Sequence, residues 1–323
     1  MWLHPDLDQA LSFAVRLCAI GQLVGLLELM LVRRELSDSG FLDWTMIGNL
    51  SPRVRTRPGS IIRRAFRRLP RRAFTGMLIA DAVAAAALLV WPASPLPIAL
   101  VVVLQIAVLK RHHMTIDGSD QMMLVVLVAC LLGRIGADVV SARAAVSFLA
   151  AELALAYAAA GFAKATSSQW RSGVAFSVIA QTRMYGQPLV ARLVREHPLI
   201  GRAAAWTVVA WESLCFVTLA APRPVVIAML ALGLGFHVGC AVVMGLNRFV
   251  WAFVAGYPAL LSTNAAIRDQ LGATTADRIT VVAAALGVLA IIVAHRAPAA
   301  LSALAARSER TATRGRGQSG RAL

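Results

Sequence analysis

Residues 224–246, PVVIAMLALGLGFHVGCAVVMGL, run for about six helical turns with one ionisable side chain, His237. A stretch of about 18–20 apolar residues crosses the hydrocarbon core of a bilayer. Inside lipid the backbone must satisfy its own hydrogen bonds, so such a stretch is a helix. Comparable apolar runs occupy 11–32, 74–91, 95–109, 121–141, 144–164, 203–221, 249–263 and 279–295. The eighth of the nine in chain order is short and contains Gly256-Tyr257-Pro258, which predicts a break or a re-entrant turn. The expected fold is all-α: a polytopic membrane bundle of about nine spans over residues 1–295, followed by a basic tail, 296–323.

Composition excludes the soluble alternatives. Hydrophobic residues make up 59% of the chain and charged residues only 15%, and the mean hydropathy is +0.70. A net charge of +16 is compatible in principle with nucleic-acid binding. The arginines, however, cluster in loops beside the spans and no nucleic-acid motif accompanies them. Their partner is expected to be anionic lipid. With nine spans, 26 basic residues fall on one side and four on the other: Arg143, Arg223, Arg268 and Arg278. The positive-inside rule then places the C-terminus in the cytoplasm of a multi-pass cell-membrane protein.

Within the basic loop 33–73, SIIRRAFRRLPRRAF alternates apolar and arginine pairs at helical spacing. Residues 60–73 are therefore expected to lie along an anionic membrane surface. The tail RSERTATRGRGQSGRAL has too little apolar content to fold.

Ionisable groups inside spans are costly and usually face the bundle interior. Arg134 and Asp138, four apart, are expected to pair on one helix. Asp81, Glu152, Glu212 and His237 lack local partners and are expected to converge on one polar cavity. Glu28 stands near a span end, within reach of the interface. Gly235 and Gly239 flank His237 and predict close approach of a neighbouring helix. His237 has no second ligand at metal spacing, and the four cysteines, Cys18, Cys130, Cys215 and Cys240, read as small buried apolar groups; no metal site is expected. In RHHMTIDGSDQMM, Asp117-Gly118 signals a turn, and Ser119 or Asp120 is placed to cap the next helix. A second reading makes His112, His113, Asp117 and Asp120 the mouth of a polar cavity.

Of 32 basic residues only two are lysines, Lys110 and Lys164. Lys164 ends an apolar run in YAAAGFAKATSSQWRSG. Arginine keeps its proton, whereas a desolvated lysine can release it and serve as a base. The same position also suits a lysine whose ammonium reaches the interface and whose stem packs in the span. Both readings stay open on position alone.

Three segments in order resemble the horizontally transferred transmembrane domain, the membrane unit of vitamin K-dependent gamma-carboxylase. They are DGSDQMM; then Tyr157, Gly161, Lys164, Trp170 and Gly173; then Phe236-His237, Gly245, Phe249, Tyr257 and Pro258. The DGSD form is similar to the bacterial sporulation-delaying-protein B-like branch, which is implicated in maturing a secreted peptide toxin. On an enzyme reading, Lys164 and His237 are the catalytic residues, and Tyr157, Glu152, Glu212, Trp170, Asp117 and Asp120 line the cavity. The resemblance itself implies Lys164 as the base. It further implies a reduced quinone as cofactor and a small secreted peptide as partner. It also implies a site opening outside the cytoplasm, whereas the charge count puts Lys164 inside. A non-enzymatic accessory protein for peptide export or immunity is the competing expectation. A small-solute transporter ranks third, because no internal repeat or pair of broken helices is visible.

Overall fold

The computed structural model describes residues 5–32, 34–35, 71–111 and 117–295, and among them every regular element is helical. The order is α1 Pro5–Leu31, α2 Arg71–Val90, α3 Pro95–Arg111, α4 Gly118–Ile135 and α5 Val139–Thr166. Three short helices follow, α6 Ser168–Ser172, α7 Val174–Gln181 and α8 Pro188–Glu196. Then come α9 Pro198–Leu214 with a 3₁₀ turn at Cys215–Leu219, α10 Arg223–Met244, α11 Asn247–Val254, α12 Tyr257–Leu271 and α13 Ala273–His295. Eight helical stretches are long and apolar enough to cross a membrane, and the shorter Pro95–Leu109 makes the ninth. The protein is an all-α polytopic membrane bundle of about nine spans. The arginine-rich segment 60–70, the tail 296–323 and the histidines His112 and His113 lie outside the described residues.

The interrupted eighth span continues through its break. Asn247–Leu271 forms one 25-residue stretch with a turn between α11 and α12 at Ala255-Gly256. Pro258 falls in the first turn of α12, where its missing N–H has no helical acceptor to lose. Residues 165–202, between the expected spans 144–164 and 203–221, are mostly filled by α6, α7 and α8.

The chain divides into two compact units, one of Met1–Leu153 with Val226–Gln270, the other of Ala154–Val225 with Leu271–Leu323. In the first, Leu26, Phe74, Leu78 and Val108 form a buried cluster that joins α1, α2 and α3. Leu11, Val15 and Cys18 of α1 and Met123 and Leu127 of α4 are also buried. In the second, Ala165, Ala205, Val209, Trp211 and Cys215 are buried, while Val281, Val282 and Leu289 of α13 stay exposed. An exposed apolar face of that kind is what lipid tails cover.

Two helix contacts differ from the sequence reading. Arg134 does not pair with Asp138. It reaches Asp8 by an ion pair and donates through Nη2 to Ser12 Oγ at 2.7 Å. Asp138 instead accepts from the Ser141 backbone N–H at 2.8 Å and from Ser141 Oγ at 2.9 Å, capping the start of α5. Those hydrogen bonds, the backbone one foremost, hold the Asp138 carboxyl below its usual range. Helical spacing permits the Arg134–Asp138 pair, but the turn at Gly136 takes Asp138 off the helix that carries Arg134. Nor do Gly235 and Gly239 admit a neighbour: a Cβ at either meets nothing within 4 Å among the described residues. Close helix approach occurs at Gly161, described below.

Candidate functional site

Two groups of ionisable side chains stand out, one in each unit. Lys164, in the last turn of α5, donates from Nζ to Glu212 Oε2 on α9 at 2.7 Å. Glu212 is buried and the Lys164 side chain is 21% exposed, so the pair opens on its lysine side. The ammonium stands 5.3 Å from the Trp170 ring centroid, within cation–π reach. Tyr157, two turns earlier on α5, meets Trp211 edge-on at 4.7 Å.

The local sequence explains how the pair is set. Gly161 stands about one turn before Lys164, and a Cβ there would come within 2.3 Å of the Ser213 backbone nitrogen. Only glycine lets α9 approach so closely, and this brings Glu212 to the lysine. Beyond Lys164, Arg171 turns back and donates from Nη1 to the Ala165 carbonyl at 3.0 Å and the Thr166 carbonyl at 2.6 Å. A cation at the end of α5 satisfies carbonyls that have no helical partner and suits the helix dipole. Trp206 Nε1 donates to the Arg171 carbonyl at 3.1 Å and ties α9 to the same corner. Gly173 adopts φ +82° against the Arg202 backbone, a left-handed conformation costly for other residues. Three of the five motif residues, Gly161, Trp170 and Gly173, therefore shape the surroundings of Lys164.

The second group lies in the other unit. Arg248, at the start of α11, binds three carboxylates. Its Nη2 reaches Asp117 Oδ2 at 3.0 Å, its Nη1 binds Asp120 Oδ1, and its Nε lies 3.5 Å from Glu28 Oε2. Asp117 is the N-cap of α4: Oδ1 accepts from the Ser119 and Asp120 backbone N–H groups, while Asp120 accepts from the Asp117 N–H. This reciprocal capping box makes Asp117 the cap, where the sequence pointed to Ser119 or Asp120. Gln105 of α3 donates to the Asp120 carbonyl at 3.2 Å.

Asp81, Glu152, Glu212 and His237, expected to converge on one cavity, each have their own local surroundings. Asp81 accepts from Gln22 Nε2 at 2.8 Å, between α2 and α1. Glu212 binds Lys164. His237 stacks on Phe253, with centroids 4.6 Å apart, and meets Phe236 edge-on at 5.1 Å. Glu152 is half-buried and has no ion-pair partner among the described residues. Lys164, Glu212, Tyr157 and Trp170 thus belong together, Asp117 and Asp120 belong to the arginine cluster, and His237 lies in an aromatic packing environment. Among the described residues no set of three histidine, cysteine or carboxylate groups is placed to hold a metal. An open groove of about 620 Å³ between α4 and α5, lined by Leu124, Val128, Leu132, Ala145 and Phe148, offers apolar surface and no titratable group.

Sequence reasoning missed Arg248, which it treated as one more loop charge. Its partners Asp117 and Asp120 are about 130 residues away, so no local spacing signals the contact. The glutamines Gln22 and Gln105 were missed because neither is ionisable.

The fold defines the class: a polytopic helical membrane protein with a Lys–Glu pair at the end of one span and an Arg–carboxylate cluster at the end of another. No family model, curated protein or solved structure matches the chain.

Proposed function

We propose that the protein is an integral membrane maturation factor for a small secreted peptide, with Lys164 and Glu212 as its proton-transfer pair. The observation that carries this reading is the 2.7 Å contact between Nζ and Oε2 beside Trp170. A lysine acts as a base only after an ammonium proton has left it. Glu212 Oε2 is in position to take that proton. The products, a neutral amine and a neutral carboxylic acid, need little solvation, so a desolvated site narrows the gap between them and the ion pair. The amine lone pair on Lys164, on the open side of the pair, would then accept a proton from substrate. The Trp170 ring suits a planar quinol, which the family resemblance implies and which would supply reducing equivalents. No step here is routed through it. His237 is not assigned a part in this transfer.

A second reading is favoured by the same contact. A lysine already satisfied by Glu212 is also a sound structural pin, as expected in an accessory protein of peptide export or immunity. The two are separated by comparing peptides secreted by cells with and without the gene, using mass spectrometry. Complementation uses wild type, Lys164→Arg and Lys164→Met, each checked for membrane insertion. Loss of the matured peptide in both variants supports proton transfer. Full function of Lys164→Arg means that only the charge matters and favours the accessory reading. A secreted peptide pool that does not depend on the gene overturns both. The charge asymmetry further supports a cytoplasmic C-terminus, and a reporter active only outside the cytoplasm, fused after Leu323, should stay silent.

A further inference from the structure

Three polar side chains are buried at one level of the first unit, on three neighbouring helices: Gln22 of α1, Asp81 of α2 and Gln105 of α3. Their alignment follows from the apolar cluster next to them. Leu26, Leu78 and Val108 pack together. Gln22, Asp81 and Gln105 each lie about one helical turn from those residues in the direction of the α2–α3 turn, since α2 runs towards that turn and α3 runs away from it. Asp81 and Gln105 also stand at equal depth, each about 15 Å along its helix from the turn.

Among the described residues, two acceptor atoms in this layer have no hydrogen-bond partner. Asp81 is fully buried. Its Oδ2 accepts from Gln22 Nε2, while its Oδ1 has no hydrogen bond. Gln105 is 2% exposed, its Nε2 donates to the Asp120 carbonyl, and its Oε1 has no hydrogen bond. The charged groups of the surrounding helices are engaged elsewhere or stand at helix ends. On α1, Arg16 donates to the Leu89 carbonyl and Glu28 faces Arg248. On α4, Asp120 binds Arg248. Arg71 and Arg72 begin α2, and Lys110 and Arg111 end α3. Arg16, Glu28 and Asp120 are thus engaged with partners other than Asp81.

An ionised carboxylate buried in hydrocarbon without a cation is strongly disfavoured, and a buried acceptor without a donor is costly too. One proton on Asp81 removes both difficulties. We infer that Asp81 is an intramembrane proton-binding site, a neutral carboxylic acid whose Oδ1 hydroxyl is donated to Gln105 Oε1. Gln22 Nε2, a neutral donor, then serves the remaining carbonyl oxygen. The chain of hydrogen bonds runs from Gln22 through Asp81 and Gln105 to the Asp120 carbonyl, so the bound proton is linked through one amide to the Arg248 cluster. This inference does not depend on the proposed role of Lys164.

A protonated carboxyl in an apolar setting reacts with dicyclohexylcarbodiimide. The carboxyl oxygen adds to the central carbon of the reagent, and the acyl group then migrates to nitrogen. The acid proton ends on the urea nitrogen, nothing is lost, and the adduct gains the mass of one reagent molecule. The full chain in detergent is treated at neutral pH and its peptides are read by mass spectrometry, alongside an infrared spectrum of the untreated protein. The expected result is an adduct on Asp81 and a carboxylic-acid carbonyl stretch, both lost in Asp81→Asn. Asparagine keeps a donor for Gln105, so that variant is expected to fold. In Gln105→Leu the stretch should move to higher frequency, because its hydroxyl has lost its acceptor. A carboxylate band that disappears in Asp81→Asn, with no adduct on Asp81, overturns the inference. An infrared stretch that Gln105→Leu leaves unmoved overturns the assigned hydrogen bond.

Discussion

The first unit sets an arginine against three carboxylates, whereas the second sets a lysine against one. The guanidinium of Arg248 spreads its donors over Asp117, Asp120 and Glu28 and so fastens α11 to the start of α4 and the end of α1. It keeps its charge under all physiological conditions. The ammonium of Lys164 has one carboxylate and one aromatic ring and stands partly open. Both are ion pairs near span ends, but as a residue type lysine gives up its proton far more readily than arginine. The difference suggests that the arginine cluster holds structure and that the lysine pair is the better place to look for chemistry.

The largest effect is expected from Arg248→Met. Removing the arginine leaves Asp120 buried without its cation, beside the partly open Asp117 and Glu28, and we expect a loss of about 3–5 kcal/mol, read as a fall in the unfolding midpoint in detergent. Lys164→Met leaves one carboxylate unpaired, so its loss of stability should be smaller, about 1–3 kcal/mol. If Lys164→Met proves the more damaging of the two, the division between a structural and a chemical pair fails.

Gly161→Ala sharpens the same comparison. A methyl group 2.3 Å from the Ser213 nitrogen must push α9 away from α5. The expected cost is about 1–3 kcal/mol. The added loss is specific: a Lys164–Glu212 coupling measured by double-mutant cycle should vanish in the Gly161→Ala background, while coupling between Arg248 and Asp120 should survive.

The smallest effect concerns Asp138. Its carboxyl is held below its usual range by Ser141, so its contribution is present above the unfolded-state value and is lost as pH falls through the lowered folded value. Asp138→Asn should therefore lower stability slightly near neutrality, leave it unchanged at pH below the folded value, and so flatten the acid side of the stability–pH curve. A variant curve parallel to wild type throughout would show that ionisation of Asp138 contributes nothing to stability.

The helical class and the approximate spans were legible because hydropathy depends on local runs, and lipid leaves apolar runs few alternatives. The interruption at Gly256-Tyr257-Pro258 was legible for the same reason. Lys164, Tyr157, Trp170 and Glu212 could be named as candidates from residue chemistry and motif order. That Glu212 faces Lys164, Asp81 meets Gln22 and His237 stacks on Phe253 could not be read. A span records the depth and rotation of each residue, but the partner across the helix interface depends on which helices become neighbours. Arg134 illustrates the limit, since its helical neighbour at i+4 was the natural guess and its actual partner, Asp8, lies 126 residues away.

Sequence alone determined that this chain is a membrane bundle, because burying so much apolar surface in water-free surroundings permits only helices. It also determined where each ionisable group falls along its span. Tertiary structure decided the pairings. It brought Glu212 to Lys164 through the missing side chain at Gly161 and gathered three carboxylates on Arg248. It also aligned Gln22, Asp81 and Gln105 in one buried layer. Each of these contacts joins helices distant in sequence, and its strength depends on distances of a few ångströms that only the packed arrangement sets.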